Sequence, residues 1–84
     1  MEDAVTARLA CCVPFCRRST TQAEFSEWIC GNHWRLIDKR KRQVYGRYMR
    51  QWRRYGPTER LHVAAGRIWE RLKREAIERA AGIA

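Results

Sequence analysis

The sequence predicts a mostly α fold, in which a small cysteine–histidine knuckle is followed by an antiparallel two-helix hairpin. Three observations carry that expectation. Cys30 and His33 are separated by two residues, with further cysteines at 11, 12 and 16, and together they offer the donor atoms of a tetrahedral nitrogen–sulfur metal site. Between Lys39 and Arg54 the apolar residues Val44, Tyr45, Tyr48, Met49 and Trp52 recur at helical spacing. Leu61, Ala64, Ala65, Ile68, Trp69, Leu72, Ala76 and Ala80 form a second such stripe, and only a short Gly-Pro connection separates the two.

The 84 residues make one domain, 1–84. A chain this short supports only a marginal apolar core, so a metal or disulfide staple is expected. The net charge of +9, from 18 Lys and Arg against 9 Asp and Glu, points to a polyanionic partner: DNA, RNA or an anionic membrane surface. No apolar run approaches the roughly 18 residues that span a bilayer. Glu2 and Asp3 near the N-terminus, with no hydrophobic stretch after them, argue against a signal peptide. Leu9-Ala10-Cys11 faintly matches a lipoprotein cleavage site, but Arg8 and the missing apolar run oppose that reading. The expected location is therefore a reducing cytoplasm, where four cysteines near a histidine act as metal ligands and not as disulfides.

Taken in order, residues 1–10 read as a flexible or weakly helical arm, and 11–37 as the knuckle. Pro14 fixes a turn that lets two thiolates converge. Arg17 and Arg18 lead into a polar loop, Ser19 to Gln22. Thr21 and Glu24 have capping-box spacing, consistent with a helical turn over about 22–28; a strand pair leading into Trp28-Ile29 fits equally well. The second ligand pair opens a helix whose first apolar residues are Trp34, Leu36 and Ile37, and Asp38 is a good N-cap for a restart. A basic helix follows over 38–55. Gly46 inside it costs about 1 kcal/mol relative to alanine and either permits close backbone approach or is simply tolerated. Gly56-Pro57 ends this helix, and Thr58-Glu59 starts the last one, 58–81, with Gly82 just past its end. Glu70→Arg74 and Glu75→Arg79 are favourable i,i+4 pairs. Folding the hairpin brings Tyr48 and Trp52 towards Ile68 and Trp69.

The metal ligands read as Cys11-x4-Cys16-x13-Cys30-x2-His33, or with Cys12 in first place and a gap of three. Four protein ligands leave no open position for water, so the zinc is structural and folding depends on it. The competing reading treats the cysteines as small buried hydrophobes. Cys-Cys-Val-Pro-Phe-Cys at 11–16 and Cys-Gly-Asn-His-Trp at 30–34 resemble the zinc knuckle of small phage and bacterial proteins, whose pattern is roughly C-x-V-P-G-C … C-x-x-H-[WY]. The resemblance covers residues 11–36. It implies a treble-clef-like knuckle with the second ligand pair on a helix N-terminus, Cys11 as the first ligand, and a setting in nucleic-acid-handling proteins of a bacterial host or phage-infected cell. Two departures stand out: Phe15 occupies the place of the usual glycine, and a cysteine is present at 12.

Residues 35–54 hold nine Lys and Arg and one acid, Asp38. At 100° per residue, Lys39, Arg40, Gln43, Arg47, Arg50 and Arg54 gather on one side. With Arg35 they make a candidate nucleic-acid-binding surface, duplex DNA favoured, because arginine forks suit both phosphate and guanine edges. The competing reading is a solvated charged face. Such a face normally mixes signs, as residues 57–84 do with six basic and four acidic side chains. Trp52 and Trp69 belong to the apolar stripes, which leaves Tyr45, Tyr48 or Tyr55 to reach a base or sugar. The expected function is thus a zinc-stabilised DNA-binding transcriptional or phage-encoded regulator. The rival is an adaptor or inhibitor that docks Ile77, Ile83 or exposed aromatics on a host enzyme such as RNA polymerase. A membrane-surface role is disfavoured, since the apolar faces are committed to each other. Catalysis finds no support: His33 is a ligand, His62 lies at the edge of an apolar face, and there is neither a carboxylate pair nor a phosphate-cradling loop. Asn32-His33 alone does not make an HNH nuclease.

Overall fold

The computed structural model describes residues 8–21 and 26–83. Among these residues the protein is mostly helical, with a two-stranded hairpin at the start. Strands β1 (Leu9–Ala10) and β2 (Ser19–Thr20) pair antiparallel, with Leu9 opposite Thr20 and Ala10 opposite Ser19. The ladder extends one step further, where the Cys11 N–H donates to the Arg18 carbonyl at 3.0 Å. Leu9 and Ala10 are thus strand where an arm is expected, and Ser19-Thr20 are strand where a loop is expected; residues 1–7 of that arm lie outside the described residues. Local polarity hides these short strands because backbone pairing, and not burial, holds them. Of the helical turn expected over 22–28, residues 22–25 also lie outside. Ser26 to Trp28 are not helical, and Trp28 forms an isolated parallel bridge with Cys11.

Helix α1 (Gly31–Trp34) is a single turn. It ends as the chain turns through Leu36, which faces outward, to place Ile37 only 2% exposed in the core. Asp38 then caps α2 (Lys39–Tyr55), its carboxylate accepting from the Lys41 N–H at 3.3 Å. Gly56 closes α2 at φ 85°, ψ 166°, a region essentially reserved for glycine. Thr58 accepts from the Leu61 N–H at 3.2 Å and starts α3 (Glu59–Ala80). That helix ends in a paired cap: Gly82 donates to Arg79 (3.1 Å) and Ile83 to Glu78 (2.9 Å), with Gly82 at φ 78°. Together these bonds satisfy two orphan carbonyls.

Helices α2 and α3 lie antiparallel, and near the link residues equidistant from Pro57 face each other: the Trp52 ring is 5.6 Å from His62 and the Tyr45 ring is 5.8 Å from Trp69. Further out, the long Lys41 side chain reaches Glu75 at 2.6 Å. Of the expected meeting of Tyr48 and Trp52 with Ile68 and Trp69, Trp52 and Trp69 line one cavity, but the ring packed on Trp69 is Tyr45, about one turn from Tyr48. The main core lies between knuckle and α3: Cys11, Val13, Ile29, Cys30 and Ile37 pack with Leu72 and Ala76. Trp34, Tyr45 and Trp69 join the three helices, with ring centroids 5.8 to 6.4 Å apart.

Candidate metal centre and cationic helix

The β1–β2 hairpin positions the first pair of donors. Between the strands, the Cys16 N–H donates to the Val13 carbonyl at 3.1 Å, closing a four-residue turn with Pro14 at its second position. This turn sets Cys16 back towards Cys11. The second pair comes from the start of α1, where Cys30 is the N-cap and His33 lies on the first turn. The Cys11 backbone bridge to Trp28 brings the two pairs together.

Sγ of Cys11, Cys16 and Cys30 and a ring nitrogen of His33 all lie within 4.8 Å of one another. Cys30 Sγ is 3.2 Å from His33 Nδ1, Cys11 Sγ is 3.7 Å from the same nitrogen, and Cys16 and Cys30 Sγ are 3.9 Å apart. A tetrahedron with Zn–S of about 2.3 Å has S···S edges near ~3.8 Å, so the donors already stand at ligand separation. No disulfide joins the four cysteines. Cys12 is not in this group; it packs against the core while its N–H donates to the Trp28 carbonyl at 2.8 Å. Between the two first-ligand choices, the geometry selects Cys11.

The electrostatics favour a thiolate at Cys30 and oppose one at Cys11. Burial pushes the Cys30 thiol up, but the His33 N–H and ring, with Cys16 and Cys11, outweigh it and bring its pKa to about 7. Burial dominates at Cys11 and raises its pKa, although Cys11 Sγ accepts the Cys30 N–H at 3.3 Å. A cation at the centre of the four donors would stabilise both as thiolates.

On α2, Lys39, Arg40, Gln43, Arg47, Arg50 and Arg54 are all exposed, and Met49 is buried on the opposite side. Among the described residues, no carboxylate pairs with Lys39, Arg40, Arg47 or Arg50. Arg54 lies over the Tyr55 ring at 5.5 Å. Arg35 is exposed too but belongs to the turn after α1, where it donates to Asn32 Oδ1 at 2.6 Å; it is not part of the α2 face. Of the three tyrosines, Tyr45 is spent on packing against Trp34 and Trp69, Tyr48 is half-buried, and Tyr55 is exposed. Ile77, a proposed docking residue, packs against the core, whereas Ile83 is exposed. His62 is exposed beside Trp52.

Three features escape a reading of the sequence. Glu75 is buried on α3 and ties the hairpin together: it accepts from the Asp38 N–H (2.7 Å), Lys41 (2.6 Å) and Arg79 (3.0 Å). Lys41, partly offset by burial, holds its carboxyl below the usual range. The Glu75–Arg79 pair thus forms as expected, but Glu70 turns to Lys73 at 3.2 Å. Glu27 accepts from Lys73 (2.9 Å) and the Trp69 indole (2.8 Å), and Lys73 leads in lowering its pKa. The third is Phe15, fully exposed at φ 70°. Proline at the second turn position signals a turn but not which kind, since it suits turns with negative and with positive φ at the third position alike.

No helix among the described residues is long and apolar enough to cross a membrane. Comparison with protein families, with curated proteins and with solved structures returns no match.

Proposed function

We propose that this chain is a small zinc-stabilised protein that binds nucleic acid, with duplex DNA favoured, through the exposed cationic side of α2. One observation carries the reading. Lys39, Arg40, Arg47 and Arg50 are solvent-facing and without carboxylate partners among the described residues, although the helix packs its other side. A merely solvated face neutralises itself; here three of the six described acids pair elsewhere, Glu75 with Lys41 and Arg79, and Glu27 and Glu70 with Lys73. An α2 of 17 residues is about 25 Å long, enough to follow several phosphates of a duplex. Zinc is the metal that three thiolates and an imidazole select in a tetrahedral arrangement, and its part is to hold the knuckle against α3.

The test is a fluorescence-polarisation titration of zinc-loaded protein against duplex DNA, single-stranded DNA and RNA at several salt concentrations. The expected result is duplex binding that weakens steeply with salt and is reduced by Arg47→Ala and Arg50→Ala. Salt-insensitive binding, or binding untouched by both substitutions, would overturn it. The adaptor reading retains Ile83 but loses Ile77, which is committed to the core.

A further inference from the structure

Phe15 breaks two rules at once. Its relative exposure is 102%, and its φ is 70°. A bulky residue in the left-handed region is an outlier, and glycine would relieve it. Exposing a whole phenyl ring forfeits its burial as well. The neighbouring structure imposes the conformation: Pro14 precedes it, the Cys16 N–H closes the turn on Val13, and Val13 is buried. The ring is thereby held clear of the protein at the tip of the β1–β2 hairpin. Nothing in the fold gains from a phenylalanine there.

The surroundings specify what it meets. Residues 8–21 contain three arginines and no acid. Arg17 and Arg18 are exposed on the strand-ward side of the turn, and Arg8 is braced across the hairpin by Ser19, with Nε donating to Oγ at 2.8 Å. An aromatic face near guanidinium groups that pair with no carboxylate among the described residues matches a base with its flanking phosphates, since stacking and phosphate contacts are the two terms that bind unpaired strands. A purely apolar protein groove would leave the arginines unanswered.

We infer that Phe15 is a stacking residue for an unpaired nucleobase, with Arg17 and Arg18 holding the adjoining phosphates. This rests on the nucleic-acid reading for its class of partner, but it is a contact separate from α2.

The test uses the full zinc-loaded chain and two fluorescein-free duplexes, one fully paired and one carrying a single unpaired 2-aminopurine. Phe15→Gly is expected to keep zinc and melt no lower than wild type, because glycine suits the turn. If that variant folds poorly, Phe15→Asn serves instead, since asparagine also tolerates positive φ. The wild type should quench 2-aminopurine, and the variant should lose the quench and about tenfold in affinity for the bulged probe. Phe15→Trp should restore both. Equal affinity of wild type and Phe15→Gly for the bulged duplex, or absence of quenching, would overturn the assignment and leave Phe15 to an apolar groove on a protein. Loss of binding in Arg47→Ala and Arg50→Ala on the paired duplex reports on α2 alone, so either contact can fail without the other.

Discussion

At the scale of single residues, the four cysteines divide into three that stand with His33 at ligand distance and one, Cys12, that lies outside the group. Cys30→Ser removes the donor that sits 3.2 Å from His33 Nδ1 and 3.9 Å from Cys16 Sγ, and His33→Ala removes the only nitrogen. Each is expected to abolish stoichiometric zinc and the cooperative melt, whereas Cys12→Ser retains both; metal analysis with circular dichroism separates the three. Loss of zinc in the Cys12 variant would sink the ligand assignment. Glu75 supplies the second residue-scale case. Its folded pKa is depressed, first by Lys41, with the Asp38 N–H and Arg79 adding to it against burial. A depressed carboxylate contributes stability that is fully present above the unfolded value of 4.5 and is lost as pH falls through the folded value. Glu75→Gln should therefore be destabilised by roughly 1–3 kcal/mol near neutrality. Its deficit in urea denaturation should shrink as pH drops below 4.5. A deficit constant with pH would assign the cost to packing alone.

The elements show why part of the design is legible and part is not. Both long helices declare themselves through apolar spacing, and Asp38, Thr58 and Gly82 mark three of their ends; each takes the capping role its chemistry suits. The cysteine–histidine cluster is legible, save for the choice between Cys11 and Cys12, because cysteine and histidine have few other uses at that spacing. The β1–β2 pairing is not, since two-residue strands carry no periodicity. Nor is the register of the hairpin: Tyr45 meets Trp69 because of the length of the link, which hydrophobic spacing alone does not convey. Gly46 also becomes decidable. A Cβ there would meet only the far end of Arg50 at 3.8 Å, so the helix tolerates the glycine and draws no close approach from it. Gly46→Ala is expected to stabilise by about 1 kcal/mol through helix propensity. Gly56→Ala should destabilise by roughly 1–3 kcal/mol, because φ 85° is imposed by the link. Chemical denaturation of the two variants should move the midpoint in opposite directions; movement in the same direction would refute the contrast.

Over the whole molecule, the candidate donors and the hairpin share one core. Cys11 and Cys30 are buried with Ile37, Leu72 and Ala76, so two residues of the cysteine–histidine group also cover α3. Chelation by EDTA should unfold the knuckle and expose this face of α3 together, read as one transition by near-ultraviolet and far-ultraviolet signals. Charge is distributed on the same scale. Glu75, Glu27 and Glu70 are drawn into contacts with Lys41, Arg79 and Lys73, and no described carboxylate pairs with Lys39, Arg40, Arg47 or Arg50 on the outer side of α2. If four phosphates are neutralised by Lys39, Arg40, Arg47 and Arg50, the plot of log affinity against log salt should fall with a slope of about −3.6 on duplex DNA. Removing one contact, as in Arg47→Ala, should reduce that slope by about 0.9 and weaken binding at every sequence alike. A variant that weakens one sequence selectively, with the slope unchanged, would instead identify Arg47 as a base contact. If α2 binds duplex DNA, the salt series thus decides whether this helix tracks the backbone or reads the groove.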